Sequence, residues 1–477
     1  MEDMIMTAPD HPSTRFSPPV DDMAPTQIAQ WRADGQTCDD ESGPDRRSGS
    51  DSSSSSRRPA SVQSSLLLSS ADRFPFEVFE DIIDEMDDAS TLLAAAQVRK
   101  AWYPRAIRNL YYTVKIDTRK RFDMLFKLCR ASPHVKQWLA TTRELRLADD
   151  DRWDDFIVMD LGGGKPRFLH AVPPALGHAM SRVQHLAFKG LRGDVHATFY
   201  LALSQFSSVK SLELSWCSLK LSQLRRIIYT FPLLTTLTLK KIRIVPHETV
   251  SPMVTTSFRS PHDIHLRYLC IKERSQNSKL IDWIAQSGLC ISLEDLTVWV
   301  NEESLWESVS ALLKTAGSSL TRLETDYLHG DLEHNTALRS LVLRLARYSA
   351  QLVVTEDQGH NINRLASQLH GLLSTVRSHQ LEHLEIETFV WTSYLAASPA
   401  RVDLRALHKT MSQPHFNALK DVKVKVDMGR VMGMMTQAEA ETFSQELEAM
   451  FQRLLRPWSD RGTIKRFTWV HPMYYKT

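Results

Sequence analysis

Along most of the chain one short hydrophobic pattern returns: an apolar residue, two variable positions, a second apolar residue, one variable position and a third apolar residue. It reads TRELRL at Thr142, VQHLAF at Val183, VKSLEL at Val209, LTTLTL at Leu234, LRYLCI at Leu266 and LEDLTV at Leu293. LTRLET at Leu320, LEHLEI at Leu381, LKDVKV at Leu419 and IKRFTW at Ile464 continue it, with AQLVVT from Ala350 as a weaker member. Alternation over the last three positions marks a strand with one buried face. In VKSLEL, Leu212 and Leu214 therefore point to a core while Glu213 and Ser215 point away.

Between these runs lie stretches with helical periodicity: LSQLRRIIYTF, KLIDWIAQSG, SLWESVSALLKTAG, LRSLVLRLARYS, INRLASQLHGLLSTVRS and ETFSQELEAMFQRLLRP. LRSLVLRL from Leu338 fits both templates; its closeness to Leu323 assigns it to a helix and gives the strand to Leu352 and Val354. On that register, successive second apolar positions from Leu186 to Leu384 fall about 25 to 32 residues apart. The end units, Leu145 to Leu186 and Leu384 to Phe467, are longer. One strand and one helix cannot cover their own apolar face, so units must stack. The expected fold is α/β: over residues 112–477 an irregular solenoid with a curved parallel sheet inside and helices outside. Its outward strand positions form a floor of Arg146, Lys189, Glu213, Lys240, Lys272, Trp299, Glu324, Asp326, Glu385, Glu387, Lys423 and Lys425. Read in order, they run mostly basic, then aromatic, then acidic, then basic again. Such zoning orients a partner of mixed charge, and Trp299 is the best single anchor.

Two different segments precede the repeats. Residues 1–70, ending in RRSGSDSSSSSRRPASVQSS, have too little apolar surface to offset the entropy of ordering and are expected to form a disordered tail. Ser61, just after Arg57 and Arg58, suits a basophilic kinase. Residues 71–111 predict three short helices. Phe79, Ile82, Ile83 and Met86 make an apolar stripe on the first, with Glu77, Glu80, Asp81, Asp84 and Glu85 around it. Pro75 suits its first turn, Asp88 or Ser90 can cap the second helix, and a third begins near Pro104 and carries Ile107 and Leu110. So few residues make a poor independent core, and capping the open end of the repeats is the simplest role for them.

The repeated runs resemble leucine-rich-repeat proteins of the irregular, helix-containing type over roughly 112–470, without the asparagine that often follows the run in strict repeats. FPFEVFEDIIDEMDDASTLLAAAQVRKAW resembles an F-box. The match rests on Phe74 and Pro75, Glu77, the pair Ile82 and Ile83, Leu92, and Val98, Lys100 and Trp102. Its flavour is that of the F-box-like segments of mushroom-forming fungi. Phe74 stands where leucine is usual, as does Met86, and Arg99 replaces a small residue.

The resemblance implies a noncatalytic receptor in a cullin-RING (SCF-type) ubiquitin ligase. Phe74, Pro75, Ile82, Ile83, Leu92, Val98 and Trp102 would serve core and contact with the small adaptor subunit, which joins the cullin; the repeats would hold a target protein. The competing readings are a repeat scaffold whose helices only cap the solenoid, and an enzyme within an irregular α/β domain.

Composition narrows the choice. Lysine plus arginine number 58 against 56 acidic residues, a formal charge of +2, and the basic residues form no stripe, so nucleic-acid binding is not expected. No apolar run approaches a membrane span and the start lacks a secretory or transit pattern, which points to the cytoplasm or nucleus. Cys38, Cys129, Cys217, Cys270 and Cys290 never fall in CxxC spacing and read as buried thiols, not a zinc frame. In LGGGKPRF, Pro166 follows Lys165 where a phosphate loop needs serine or threonine. ADDDRWDD lacks the glycine and closing glutamate of a calcium loop, and HDIH at His262 and His265 lacks the HExxH spacing. No GxSxG elbow occurs. No cofactor is expected.

Overall fold

The computed structural model describes residues 75–149, 168–193, 195–245, 264–273, 278–300, 302–326, 331–345, 359–389, 403–427 and 437–470. Outside them lie the serine-rich tail, Phe74, Cys38, the acidic run from Asp150, LGGGKPRF up to Arg167, His262, and the strand expected at Leu352 and Val354. The chain divides into two compact units, Met1–Leu110 and Tyr111–Thr477.

The first unit is built from α1 (Phe76–Asp84), α2 (Ala89–Val98) and the start of α3 (Tyr103–Tyr112). Pro75 precedes α1 with φ −54°, compatible with a ring that cannot donate. Asp88 caps α2: its carboxylate accepts from Thr91 N at 2.8 Å and Thr91 Oγ1 at 2.9 Å, and also from Ser90 Oγ. These bonds, Ser90's first, hold its carboxyl down to about 2. Asp84 ties α1 to α3 through a two-point bond from the Arg105 guanidinium, while Asn109 Nδ2 donates to Ile83 O at 3.0 Å and Asp84 Oδ1 at 2.9 Å. The expected stripe is split: Ile83 is buried, Phe79 and Met86 are half-buried, and Ile82 is exposed. Neighbouring residues on a helix point about 100° apart, so a narrow helix bundle can bury only one of the pair.

The second unit carries a sheet of twelve strands among the described residues. In chain order they are β1 (Thr113–Ile116), β2 (Glu144–Ala148), β3 (His185–Lys189), β4 (Ser211–Ser215), β5 (Thr236–Lys240) and β6 (Tyr268–Glu273). Then come β7 (Asp295–Val300), β8 (Arg322–Thr325), β9 (Ser340–Arg344), β10 (His383–Phe389), β11 (Asp421–Asp427) and β12 (Ile464–Val470). Within this sheet each strand pairs in parallel with the next of the twelve, while the two-residue strands Ser218–Leu219 and Arg243–Ile244 pair with each other in a second, small sheet. The register aligns the second apolar positions: Leu186, Leu212, Leu237, Leu269, Leu296 and Leu323 are successive partners. All are at most 1% exposed, so one continuous leucine row runs under the sheet. Helices Leu221–Tyr229, Ser278–Gln286 and Trp306–Ala316 bury their own apolar sides between strands, as their periodicity predicts.

Backbone bonds repeat with the units. The carbonyl just before each strand accepts from two successive amides entering the next strand: Lys210 O from Thr235 and Thr236 N, Thr235 O from Arg267 and Tyr268 N. The same pairwise bond recurs from Arg143 O through Glu382 O. At the other end, Gly190, Trp216 and Lys241 follow β3, β4 and β5 in the left-handed region, with φ 86°, 56° and 54°. Each backbone amide donates to a carbonyl at the end of the next strand, Gly190 to Ser215, Trp216 to Lys240 and Lys241 to Lys272, at 2.8 to 2.9 Å. Adopting this turn costs a side-chain-bearing residue more than glycine, and Lys241 Nζ lies 3.4 Å from the Trp216 ring centroid, a cation–π contact that offsets part of it.

One expectation is overturned. LRSLVLRL is not helical: Ser340–Arg344 is β9, with Leu341 paired to Leu323 and Leu384. The unit before it is short and contains no helix among the described residues. Asn335, 1% exposed, fills the space by donating to Leu313 O at 3.0 Å and Gly317 O at 2.9 Å. The unit after β9 is correspondingly long and holds the helix Gly359–Leu373. At the far end Val422 pairs with Ile464, a bulge follows at Val422/Lys423, and Phe467 faces Val424 instead of Val422.

Candidate partner-binding surfaces

The residues expected to serve adaptor contact divide by exposure. Ile83 (1%) and Leu92 (3%) belong to the core, and Trp102 packs against Phe79 with ring centroids 5.2 Å apart. Pro75 is exposed, as are Ile82 (49%) and Val98 (68%). Phe76 (41%) and Val78 (39%), which the sequence reading passed over, are further accessible apolar side chains on α1. Their signal was present in FPFEVF, a run too apolar for a helix only one face of which is buried. Around them stand Glu77, Asp81 and Glu85, also exposed.

On the repeat sheet the outward rows are in register. Lys189, Ser215, Lys240, Lys272 and Trp299 are successive partners on β3 to β7. Glu324, Val342, Glu385 and Lys423 continue the neighbouring row on β8 to β11. Arg146 stands on β2, where its Nε donates to Glu144 at 2.7 Å.

Charge is less zoned than the sequence order implies, because strands 20 or more residues apart bring opposite signs together. Lys240 Nζ donates to Glu213 at 2.7 Å. Burial raises the Glu213 carboxyl, but the bond and charge of Lys240 outweigh it and leave it below the usual range. Arg344, absent from the expected floor, bridges Glu324 at 2.9 Å and Glu387 at 3.0 Å. Lys425 reaches Glu385 at 2.5 Å and Glu387 at 3.4 Å. Lys423 pairs with Asp421 at 3.1 Å. Glu385 and Glu387 therefore do not present a bare acidic patch, though burial still pushes the Glu387 carboxyl up.

Trp299 contacts two cations. Lys272 Nζ lies 3.4 Å from its ring centroid and Arg344 Cζ 4.3 Å. Asp326 departs from the expected floor: it is 2% exposed and accepts from Val300 N at 2.7 Å. Strand β8 ends at Thr325, so the alternation stops one residue early and Asp326 turns inward to extend the ladder to β7.

Arg322, Val342, His383, Leu384, Glu385 and Lys423 are among the residues lining a cleft of about 290 Å³ on this face. Among the described residues no group of three or more histidine, cysteine or acidic side chains is placed to hold a metal ion, and no helix is long and apolar enough to cross a membrane. Burial pushes the Cys217 and Cys290 thiols up to about 12. No protein-family model matches the chain, and no curated protein matches it.

Proposed function

We propose that the chain is the noncatalytic substrate receptor of an SCF-type ubiquitin ligase, with its N-terminal helices binding the adaptor subunit and its repeats, of the leucine-rich kind, binding a target protein. The observation that carries the first half is the split exposure of the motif. Ile83 and Leu92 are used up in the core, which any helical unit requires, whereas Pro75, Phe76, Val78, Ile82 and Val98 leave apolar surface that folding alone does not explain.

The repeat reading is supported by the strand order and by Cys217. Val209, Leu212, Leu214, Cys217 and Leu219 fit the spacing L-x-x-L-x-L-x-x-N/C-x-L. The Cys217 thiol lies 3.4 Å from Ser215 O and 3.8 Å from Phe188 O, a polar group joining two repeats from within the core. A receptor works by proximity: it holds the target beside a charged ubiquitin carrier and raises effective concentration, so no residue of its own needs a tuned pKa for chemistry. Copurification tests the reading. Adaptor and cullin should be recovered with the wild-type chain and lost with Ile82→Asp; their absence from the wild-type preparation would favour a scaffold outside any ligase.

A further inference from the structure

We propose, building on the receptor reading at its repeat sheet, that Lys240, Lys272 and Trp299 receive an acidic side chain of an extended partner polypeptide. The Val342 cleft takes an aliphatic side chain of the same segment. Strands β3 to β6 set Lys189, Lys240 and Lys272 on one cross-strand row, and Glu213 is the carboxylate among the described outward side chains of those strands. Lys240 holds that carboxylate. Lys272, its direct neighbour in register, instead holds the Trp299 ring. Among the described residues no carboxylate lies within ion-pair distance of Lys272. Burial pulls its ammonium below the usual lysine range; Lys240 and Arg344 add to that pull, while Glu324 and the Cys270 thiol oppose it. An arriving carboxylate relieves this desolvated, repelled charge, and its neighbouring atoms pack on the indole.

The occupant is a polypeptide because the lysine row is short. On β8 and β10 the side chains that follow, Glu324, Glu385 and Glu387, are already balanced by Arg344 and Lys425, so a continuous phosphate backbone that met the lysine row would find its next charges engaged. A segment with one acidic cluster followed by apolar residues fits both halves. Val342, a short side chain between Glu324 and Glu385 in register, leaves the dip that the cleft occupies. From Lys272 to Val342 the path crosses three strand spacings and about one pleat, roughly 16 Å, or about five residues of extended chain.

Fluorescence anisotropy on the full-length chain tests this with a labelled serine- and glycine-based dodecapeptide carrying a pair of adjacent glutamates and a leucine about five residues on. The control peptide has glutamines in their place. The expected result is at least about tenfold tighter binding of the glutamate peptide. That preference should disappear in Lys272→Met, which keeps the side-chain stem, and persist in Lys314→Met on an outer helix, with unchanged thermal midpoints showing both variants folded. Equal affinity for the two peptides, no binding by either, preference retained in Lys272→Met, or tighter binding of a single-stranded oligonucleotide overturns the proposal. Adaptor capture is measured on the same preparation. Capture without glutamate preference removes this inference alone; preference without capture removes the ligase reading and leaves the acidic-peptide site standing.

Discussion

Cys217 shows how much a single side chain can report. It is buried, its sulfur faces two carbonyls of adjacent repeats, and burial pushes its thiol up to about 12, so almost none is thiolate at neutral pH. A thiol reagent should leave Cys217 unmodified in the native protein and label it only on unfolding, read by mass spectrometry. Cys217→Ala should cost about 1–3 kcal/mol in denaturant unfolding, because it opens space and strands two acceptors. The spacing that marks this cysteine is legible in the chain, where cysteine stands in place of the commoner asparagine. His415 makes the second residue-scale prediction. It is buried beside Phe416 and His379, its Nε2 finds no hydrogen-bond partner among the described residues, and burial, then Arg377 and His379, lower its pKa from 6.5. A depressed histidine takes its proton in the unfolded chain first, so stability should be fullest above about pH 6.5 and fall as pH drops below it. A thermal midpoint followed from pH 7.5 to 5.5 should decline, and His415→Gln should flatten that part of the decline.

At the scale of the element, α1 separates what helical spacing can and cannot say. Periodicity identified a helix with apolar residues, but two adjacent isoleucines cannot both face a core, and nothing in the local sequence says which does. The structure buries Ile83 and exposes Ile82. Ile83→Asp should therefore unfold the first unit, seen as lost helical circular dichroism in that region or as rapid proteolysis there. Ile82→Asp should leave it folded. A double substitution would confuse folding with binding. The short unit before β9 teaches the same lesson for strands. Leu341 follows Leu323 too closely for a strand-helix unit, and only the buried Asn335, with its two bonds to Leu313 and Gly317 carbonyls, shows how so short a unit closes. Asn335→Ala should lower stability by about 1–3 kcal/mol, because carbonyls in the interior lose their donor. Leucine, which keeps the volume but offers no donor, should not restore it.

For the whole molecule, the inward rows were readable at once because a period of two allows only one choice of face once the leucines are placed. The outward rows were readable as positions but not as charges. Lys240 with Glu213, Arg344 with Glu324 and Glu387, and Lys425 with Glu385 meet only because stacking sets distant strands side by side. Ion pairs of this half-exposed kind contribute little to stability. The register also predicts that stability is shared between neighbouring units, so Leu237→Ala in mid-array should cost about 2–5 kcal/mol and loosen adjacent strands more than distant ones in hydrogen exchange.

The receptor reading stands most directly on the apolar surface left open on the first unit. Isothermal titration of the purified chain with a purified SCF adaptor subunit measures it. Submicromolar to micromolar binding by the wild type, weakened by about a hundredfold or more in Ile82→Asp with the helical signal and melting midpoint intact, is the predicted result. No heat of binding from the wild type, or equal affinity in a folded Ile82→Asp, would contradict it.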